Sequence, residues 1–116
     1  MSETLAQSGD ILISGFSGPE KMYYESVREE STKFLEKMRR YVPLRSLEIR
    51  QKSSTHGKSR LFEIRLTARL ARGMMYAYAS ERDLYQALRK VFSEITEQAD
   101  KASQAKSGIR AKEKGL

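Results

Sequence analysis

Arginine and lysine side chains are concentrated in the middle of this chain, and the chemistry that they offer is phosphate binding. Eight basic residues and only two acidic ones lie between Arg45 and Arg72, a net charge of +6 in a 116-residue chain that carries +7 in total. Guanidinium and ammonium groups bind phosphate oxygens without reading a base sequence. The block therefore predicts a surface that binds a polyanion. The alternative is a solvated sheet surface whose charges prevent strand addition.

The sequence offers little that could carry catalysis. His56 is the only histidine, and it stands in a polar segment without neighbouring carboxylates, which is typical of an exposed surface residue. The chain contains no cysteine, which excludes disulfides and thiolate metal sites. Gly15 and Gly18 flank a short loop, but no Gly-Lys-Ser or Gly-Lys-Thr follows, as a phosphate loop requires. We therefore expect no enzyme activity, no cofactor, no metal and no small-molecule substrate.

Methionine and tyrosine side chains follow the basic block. Strand periodicity puts Tyr76 and Tyr78 on one face of a strand, and Met75 with the next two alanines on the other. Exposed aromatic rings can stack on nucleic-acid bases, whereas buried ones belong to a core. We expect Met74, Met75, Tyr76 and Tyr78 to have mostly core or structural roles, and a base-stacking platform is the alternative.

Hydrophobic periodicity predicts the elements that position these residues. Ser17 and Glu20 have the spacing of a capping box at the start of the first helix. The proline at position 43 ends that helix. In chain order, the pattern predicts a strand over 11–16, a helix over 19–41, strands over 44–52, 61–71 and 74–79, and a helix from 80 to about 102, with a polar turn over 53–59.

Two amphipathic helices and a sheet with one apolar face predict an α+β fold. The predicted architecture is a two-layer sandwich of order β-α-β-β-β-α, in which both helices cover one face of a four-stranded sheet, as in double-stranded-RNA-binding-like folds. Alternation along the strands then puts four basic side chains on the other face, pointing outward: Arg50, Lys52, Arg65 and Arg69.

The chain is predicted to be one domain with short extensions. Residues 1–9 are polar and unpatterned and are predicted to form a flexible leader, residues 10–104 the domain, and residues 105–116 a basic disordered tail. No stretch has the pattern of a signal peptide or the length of a membrane span. We therefore expect a cytoplasmic protein that does not bind membranes.

One motif in the chain is similar to that of a known family. Residues 75–88 resemble the last strand and second helix of the ribosome hibernation-promoting factor family, also called the ribosome-associated inhibitor or sigma-modulation family. The family's signature is a small residue in the last strand, a polar turn, and then Asp-x-Tyr-x-Ala-aliphatic. Those places are occupied here by Ala77, Asp83, Tyr85, Ala87 and Leu88. The predicted order of elements is also that of the family.

The resemblance implies a non-catalytic cytoplasmic protein that lies in the messenger and transfer RNA channel of the small ribosomal subunit. Such a protein contacts ribosomal RNA through basic residues and keeps idle ribosomes inactive as part of a stress response. The chain matches a short form, without the dimerisation domain of long members. The middle of the family's second helix is usually basic, whereas this chain has Glu94, Glu97 and Asp100 there.

The sequence thus predicts a ribosome-associated factor that binds small-subunit ribosomal RNA and inhibits translation or stabilises idle ribosomes. One alternative is a generic RNA-binding module of double-stranded-RNA-binding-like fold, against which the acidic Glu81 and Asp83 at the predicted start of the last helix argue. A protein-interaction domain is the other. The predicted RNA contacts are Lys37, Arg40, Arg50, Lys52, Lys58, Arg60, Arg65, Arg69, Arg72 and Lys101.

Overall fold

A computed structural model describes residues 10–115 of the chain, with side chains throughout except at His56 and beyond residue 102. The predicted order β-α-β-β-β-α and the α+β class are confirmed. The elements are β1 (Ile11–Ser14), a 3-10 helix (Gly18–Tyr23), α1 (Tyr24–Met38), β2 (Leu44–His56), β3 (Ser59–Leu70), β4 (Met74–Glu81) and α2 (Leu84–Gly115).

The four strands form one sheet in the order β1-β2-β3-β4. β1 and β2 are parallel, and the other two pairs are antiparallel. Parallel neighbours need a crossover connection, which the 3-10 helix and α1 supply. A tight turn joins the two strands of each antiparallel pair, so the three longer strands lie side by side over most of their length.

The hairpin between β2 and β3 is longer than predicted. The segment 53–59 was predicted to be a polar turn, but Ser53 pairs with Phe62 and Thr55 with Arg60. Only two residues remain in the turn, and the first of them, Gly57, has a φ of 65°. A glycine in this place is what a type II′ hairpin turn needs, because its backbone twist matches that of the strands. The polar residues therefore continue the ladder.

Both helices lie on the same face of the sheet, as predicted. We call this the covered face, and its core residues include Leu47, Ile49, Ile64, Leu66, Ala77 and Ala79 from the strands and Val27, Leu35, Leu88, Val91 and Ile95 from the helices. α1 and α2 touch through Phe34 and Phe92, whose rings stack with centroids 4.2 Å apart. The two helices together are the helical layer, and the opposite side of the sheet is the open face.

A β-bulge sets the start of β2. The register with β3 shifts between Leu44 and Ser46, so Arg45 is an extra residue in the strand. Strict alternation would put Leu44 on the open face beside Ser46. Because of the bulge, Leu44 is buried in the core together with Leu47, three positions along.

The helix boundaries differ from those predicted. The first helix begins as a 3-10 turn and ends at Met38, after which the Arg40 and Tyr41 N–H groups donate to carbonyl oxygens three residues back, at 3.3 and 2.9 Å, rather than four. α2 begins at Leu84 rather than at 80, since β4 continues to Glu81 and Asp83 accepts a hydrogen bond from the Gln86 N–H at 3.1 Å. Its helical backbone continues to Gly115, past the predicted end near 102.

The predicted capping box is wrong. Ser17 makes no side-chain hydrogen bond to the helix that follows. The Glu20 side chain is instead buried and forms an ion pair with Arg60, at the β3 end of the hairpin. The predicted leader, residues 1–9, lies outside the described residues, and the boundaries of the domain and of the tail stay predictions.

Candidate nucleic-acid interface

The strand register arranges the open face in rows that run across the sheet. Each row takes one outward side chain from each of the strands that it crosses, because residues that pair across neighbouring strands point to the same side. From one end of the sheet to the other, the rows are Lys52–Glu63–Ser80, then Ser14–Arg50–Arg65–Tyr78, then Leu12–Glu48–Thr67–Tyr76, then Ser46–Arg69–Met74.

Positive charges meet in the second of these rows. Arg50 and Arg65 are directly opposite each other on β2 and β3. Like charges in this arrangement destabilise a sheet unless something between them is negative. Arg50 has one counterion, Glu48, with 2.9 Å between Nε and Oε2. Arg65 lies over the ring of Tyr78, 5.7 Å from its centroid, and has no ion pair among the described residues.

The tyrosines of β4 lie on the open face, which corrects the prediction for that strand. Only Met75 of the four predicted core or structural residues is buried, whereas Met74, Tyr76 and Tyr78 are 45%, 62% and 50% exposed. The reason is the small size of the β4 residues that point to the covered face. Ala77 and Ala79 let α2 pack closely on the covered face, so the large side chains of the strand occupy the open one.

Tyr78 is held in place by its neighbours, and Tyr76 is freer. The Tyr78 hydroxyl donates to Glu63 at 3.0 Å, and that hydrogen bond, together with desolvation and the negative charge of Glu63, raises the pKa of Tyr78 above its ordinary value. Arg65 opposes this shift weakly. The Tyr76 hydroxyl contacts the sulfur of Met74 at 3.1 Å. The phenol of Tyr78 is therefore neutral at physiological pH.

Two side chains of α2 cover the outer edge of β4. The Tyr78 N–H donates to the Glu94 carboxylate at 3.1 Å, and Gln98 Nε2 donates to the Tyr76 carbonyl oxygen at 2.6 Å. Glu94 and Gln98 are one helical turn apart, so both reach the same edge. Sequence reasoning missed this role, although the four-residue spacing of two polar residues on a helix next to an edge strand was a usable signal. The covered edge cannot add another strand there.

The open face forms a shallow groove of about 880 Å³ between these rows. Its lining combines cationic, aromatic and acidic side chains, namely Arg50, Arg65, Arg69, Met74, Tyr76, Tyr78, Glu48 and Glu94. A smaller depression beside it includes Lys52 together with Arg50 and Arg65. The structure thus brings together four of the predicted contact residues, all from β2 and β3.

The remaining predicted contacts lie elsewhere. Lys58 is exposed in the β2–β3 turn and Arg72 in the β3–β4 turn, at opposite ends of the sheet. Arg60 belongs to the side of the hairpin that faces the helices, where it pairs with Glu20 and lies 5.6 Å from the ring centroid of Phe62.

Three further predicted contacts, Lys37, Arg40 and Lys101, are exposed on or next to the helical layer. The sheet separates them from the arginines of the open face. A single flat surface cannot include both groups.

Two kinds of site are absent from the part of the chain that the structure describes. No three His, Cys, Asp or Glu side chains come together there in a way that could hold a metal ion. None of the helices in residues 10–115 combines the length and apolarity needed to cross a membrane.

Comparisons with known proteins identify the fold. No protein-family model and no curated protein matches the chain. Among solved structures, a ribosomal subunit interface protein from Coxiella burnetii is similar with a TM-score of 0.57 and 16% identity, over 82% of this chain and 96% of that one. The N-terminal domain of Protein Y from Thermus thermophilus is similar with a TM-score of 0.50 and 19% identity, over 78% and 93% of the two chains. At these identities, the likeness shows a shared fold and nothing finer.

Proposed function

We propose that this protein is a non-catalytic, cytoplasmic, ribosome-associated factor. It binds small-subunit ribosomal RNA and inhibits translation or stabilises idle ribosomes during stress. The observation that carries the proposal is the fold shared with a ribosomal subunit interface protein over 82% of this chain and 96% of that one, together with the motif over residues 75–88. The basic open face supports RNA as the partner, since it supplies the positive charge that a phosphate backbone requires.

The motif itself supports the fold rather than the contacts. Ala77 is buried under α2, Asp83 caps that helix, and Ala87 and Leu88 are buried in the core. The Tyr85 ring packs edge-on against Tyr23, with centroids 5.7 Å apart. The motif residues therefore hold α2 against the sheet and against the 3-10 helix. The RNA contacts must come from other residues.

The open face is the better candidate for those contacts than the helical layer. On the helices, basic side chains alternate with acidic ones and form ion pairs such as Arg28–Glu25 and Lys33–Glu30, each at 3.7 Å. On the open face, by contrast, two arginines oppose each other across neighbouring strands. A phosphate between Arg50 and Arg65 would relieve their repulsion. Binding it would therefore also stabilise the sheet.

Sedimentation through a sucrose gradient tests the proposal. We expect the protein to sediment with ribosomes at low salt and to dissociate as the salt concentration rises, because phosphate contacts release counterions. Replacing Arg50, Arg65 and Arg69 together with glutamate should abolish co-sedimentation. The matched control replaces Lys33, Lys37 and Arg89, three exposed cations of the helical layer, and should leave most of the binding intact.

The outcomes separate the possible errors. If the protein stays at the top of the gradient at low salt while the ribosomes are intact, ribosome association is wrong. If the helical triple variant loses binding and the open-face variant keeps it, the association is right and the contact surface lies on the helices.

A further inference from the structure

The open face carries a feature that phosphate binding alone does not require, an exposed aromatic ring between two rows of arginine. We propose that the open face binds single-stranded RNA and that an unpaired base stacks on the ring of Tyr76. This inference rests on the proposed function, because it takes RNA as the polyanion. It adds the kind of RNA and the group on the protein that recognises it.

Tyr76 is the ring that a base can reach. It is 62% exposed, and the residue next to it across the strand pair, Thr67, is small, so the floor beside the ring is open. The neighbouring tyrosine is already engaged, since Arg65 lies over the Tyr78 ring and Glu63 holds its hydroxyl. Stacking of a base on an aromatic side chain is tolerant of sequence, because every base has a flat face.

Cations flank this ring on the next strand. Thr67 is opposite Tyr76, and Arg65 and Arg69 stand two residues to either side of it on β3. Their α-carbons are about 13 Å apart along the extended strand. A strand of RNA whose base lies on Tyr76 therefore has a guanidinium on each side for its backbone. Glu48 is in the same row as Tyr76 and repels phosphate, so this row favours the uncharged base over the backbone.

A duplex cannot use this arrangement. In double-stranded RNA the base faces are stacked inside the helix, and the deep major groove does not admit a sheet. Binding to a duplex would use only the arginines and would leave the tyrosine in water. An unpaired base and its two neighbouring phosphates match both kinds of side chain at once.

The probe is a single-stranded RNA octamer with the fluorescent base 2-aminopurine at its centre, mixed with the full-length protein at low salt. Stacking on an aromatic ring should quench the fluorescence, and anisotropy gives the affinity. We expect Tyr76→Ala to abolish the quenching and to weaken binding about 5- to 100-fold, the range that one base stack supplies. Tyr76→Phe keeps the ring and should behave like the unmodified protein.

Two controls make the result specific. Tyr41→Ala removes another exposed tyrosine, 68% exposed and next to the helical layer, and should change neither signal. A hairpin RNA with 2-aminopurine in its duplex should bind more weakly. Adding the protein should not quench its fluorescence further. Thermal melting by circular dichroism verifies that Tyr76→Ala is folded.

The inference is overturned if the octamer does not bind, if it binds without quenching, or if Tyr76→Ala matches the unmodified protein. The gradient experiment decides the proposed function separately. A protein that sediments with ribosomes but fails the octamer test has the proposed function without the stacking platform.

Discussion

The two faces of the sheet come from the same strands but have opposite chemistry. In β3, Ile64, Leu66 and Ala68 point into the core, and each is at most 1% exposed. Between them, Arg65 and Thr67 point outward, and the arginine is exposed. Stability therefore resides in one set of positions, and the proposed RNA contacts lie in the other. A substitution on one face should leave the property of the other face nearly unchanged.

The largest expected effect is a difference in the free energy of unfolding between a substitution on the covered face and one on the open face. Ile64→Ala removes a fully buried side chain from the centre of the covered face and should lower the free energy of unfolding by about 2–5 kcal/mol. Thr67→Ala, on the open face three residues later, should change it by less than about 0.5 kcal/mol. Urea denaturation followed by circular dichroism measures both. Equal losses would show that the open face is packed against something in the folded protein.

Backbone packing at the end of β1 gives the next effect. Gly15 has a φ of +90°, and a Cβ there would overlap the backbone carbonyl of Gln51 in β2. Gly15→Ala should lower stability by about 3 kcal/mol, since it adds a clash with main-chain atoms to an unfavourable backbone conformation. Gly73 also has a φ of +90° but has open space around it.

Gly73→Ala is therefore the matched control, and it should cost about 1–2 kcal/mol from backbone strain alone. The difference between the two melting temperatures isolates the contact with Gln51. If both variants lose the same stability, strain explains everything and the close approach of Gly15 to β2 is not important.

The sequence predicted the faces because they depend on a simple period. Alternation from Phe62 to Leu70 needs no knowledge of the rest of the fold, and it correctly assigned Arg65 and Arg69 to the open face. Alternation alone does not assign a face where the strand register changes. Leu44 is buried because a bulge shifts the register, and no local pattern indicates a bulge.

Of Met74, Met75, Tyr76 and Tyr78, expected to have mostly core or structural roles, only Met75 is in the core, again because of packing between elements. Large apolar side chains favour the core in general, but here α2 packs on Ala77 and Ala79, and Tyr76 must take the other side. Arg60 was predicted to contact RNA with the rest of the basic block, and that contact stays a prediction. Its commitment to Glu20 depends on a 3-10 helix almost forty residues earlier in the chain, which charge counting cannot detect.

Substitution of two arginines, one on each side of the sheet, should affect stability and RNA affinity in opposite ways. Arg60→Gln leaves the buried Glu20 carboxylate without its cation and should lower stability by about 2 kcal/mol, with little change in RNA affinity. Arg69→Gln should do the reverse. It should alter stability by less than about 0.5 kcal/mol and reduce the slope of log affinity against log salt by about 0.7, one phosphate contact to a single strand.

Thermal melting and a salt titration of RNA binding, run on both variants, measure the two effects. Arg82→Gln, an exposed substitution in the turn before α2, serves as the control for loss of one charge. A fall in affinity for Arg60→Gln as large as that for Arg69→Gln would mean that the RNA also reaches the hairpin side of the sheet.

The smallest effect concerns the proton on Tyr78. Its pKa in the folded protein is above the ordinary value of 10.0, mainly because the hydroxyl donates to Glu63. Since the folded state holds this proton more tightly than the unfolded state, the resulting contribution to stability is complete below pH about 10 and is lost as the pH rises through the folded value. Ultraviolet titration of tyrosinate should show one late-titrating tyrosine, absent in Tyr78→Phe and shifted to lower pH in Glu63→Gln. Near neutrality the Tyr78 phenol keeps its proton, so its ionisation should not change RNA binding between pH about 6 and 9. A strong pH dependence in that range that Tyr78→Phe removes would mean that the phenol ionises there and that the bond to Glu63 does not form.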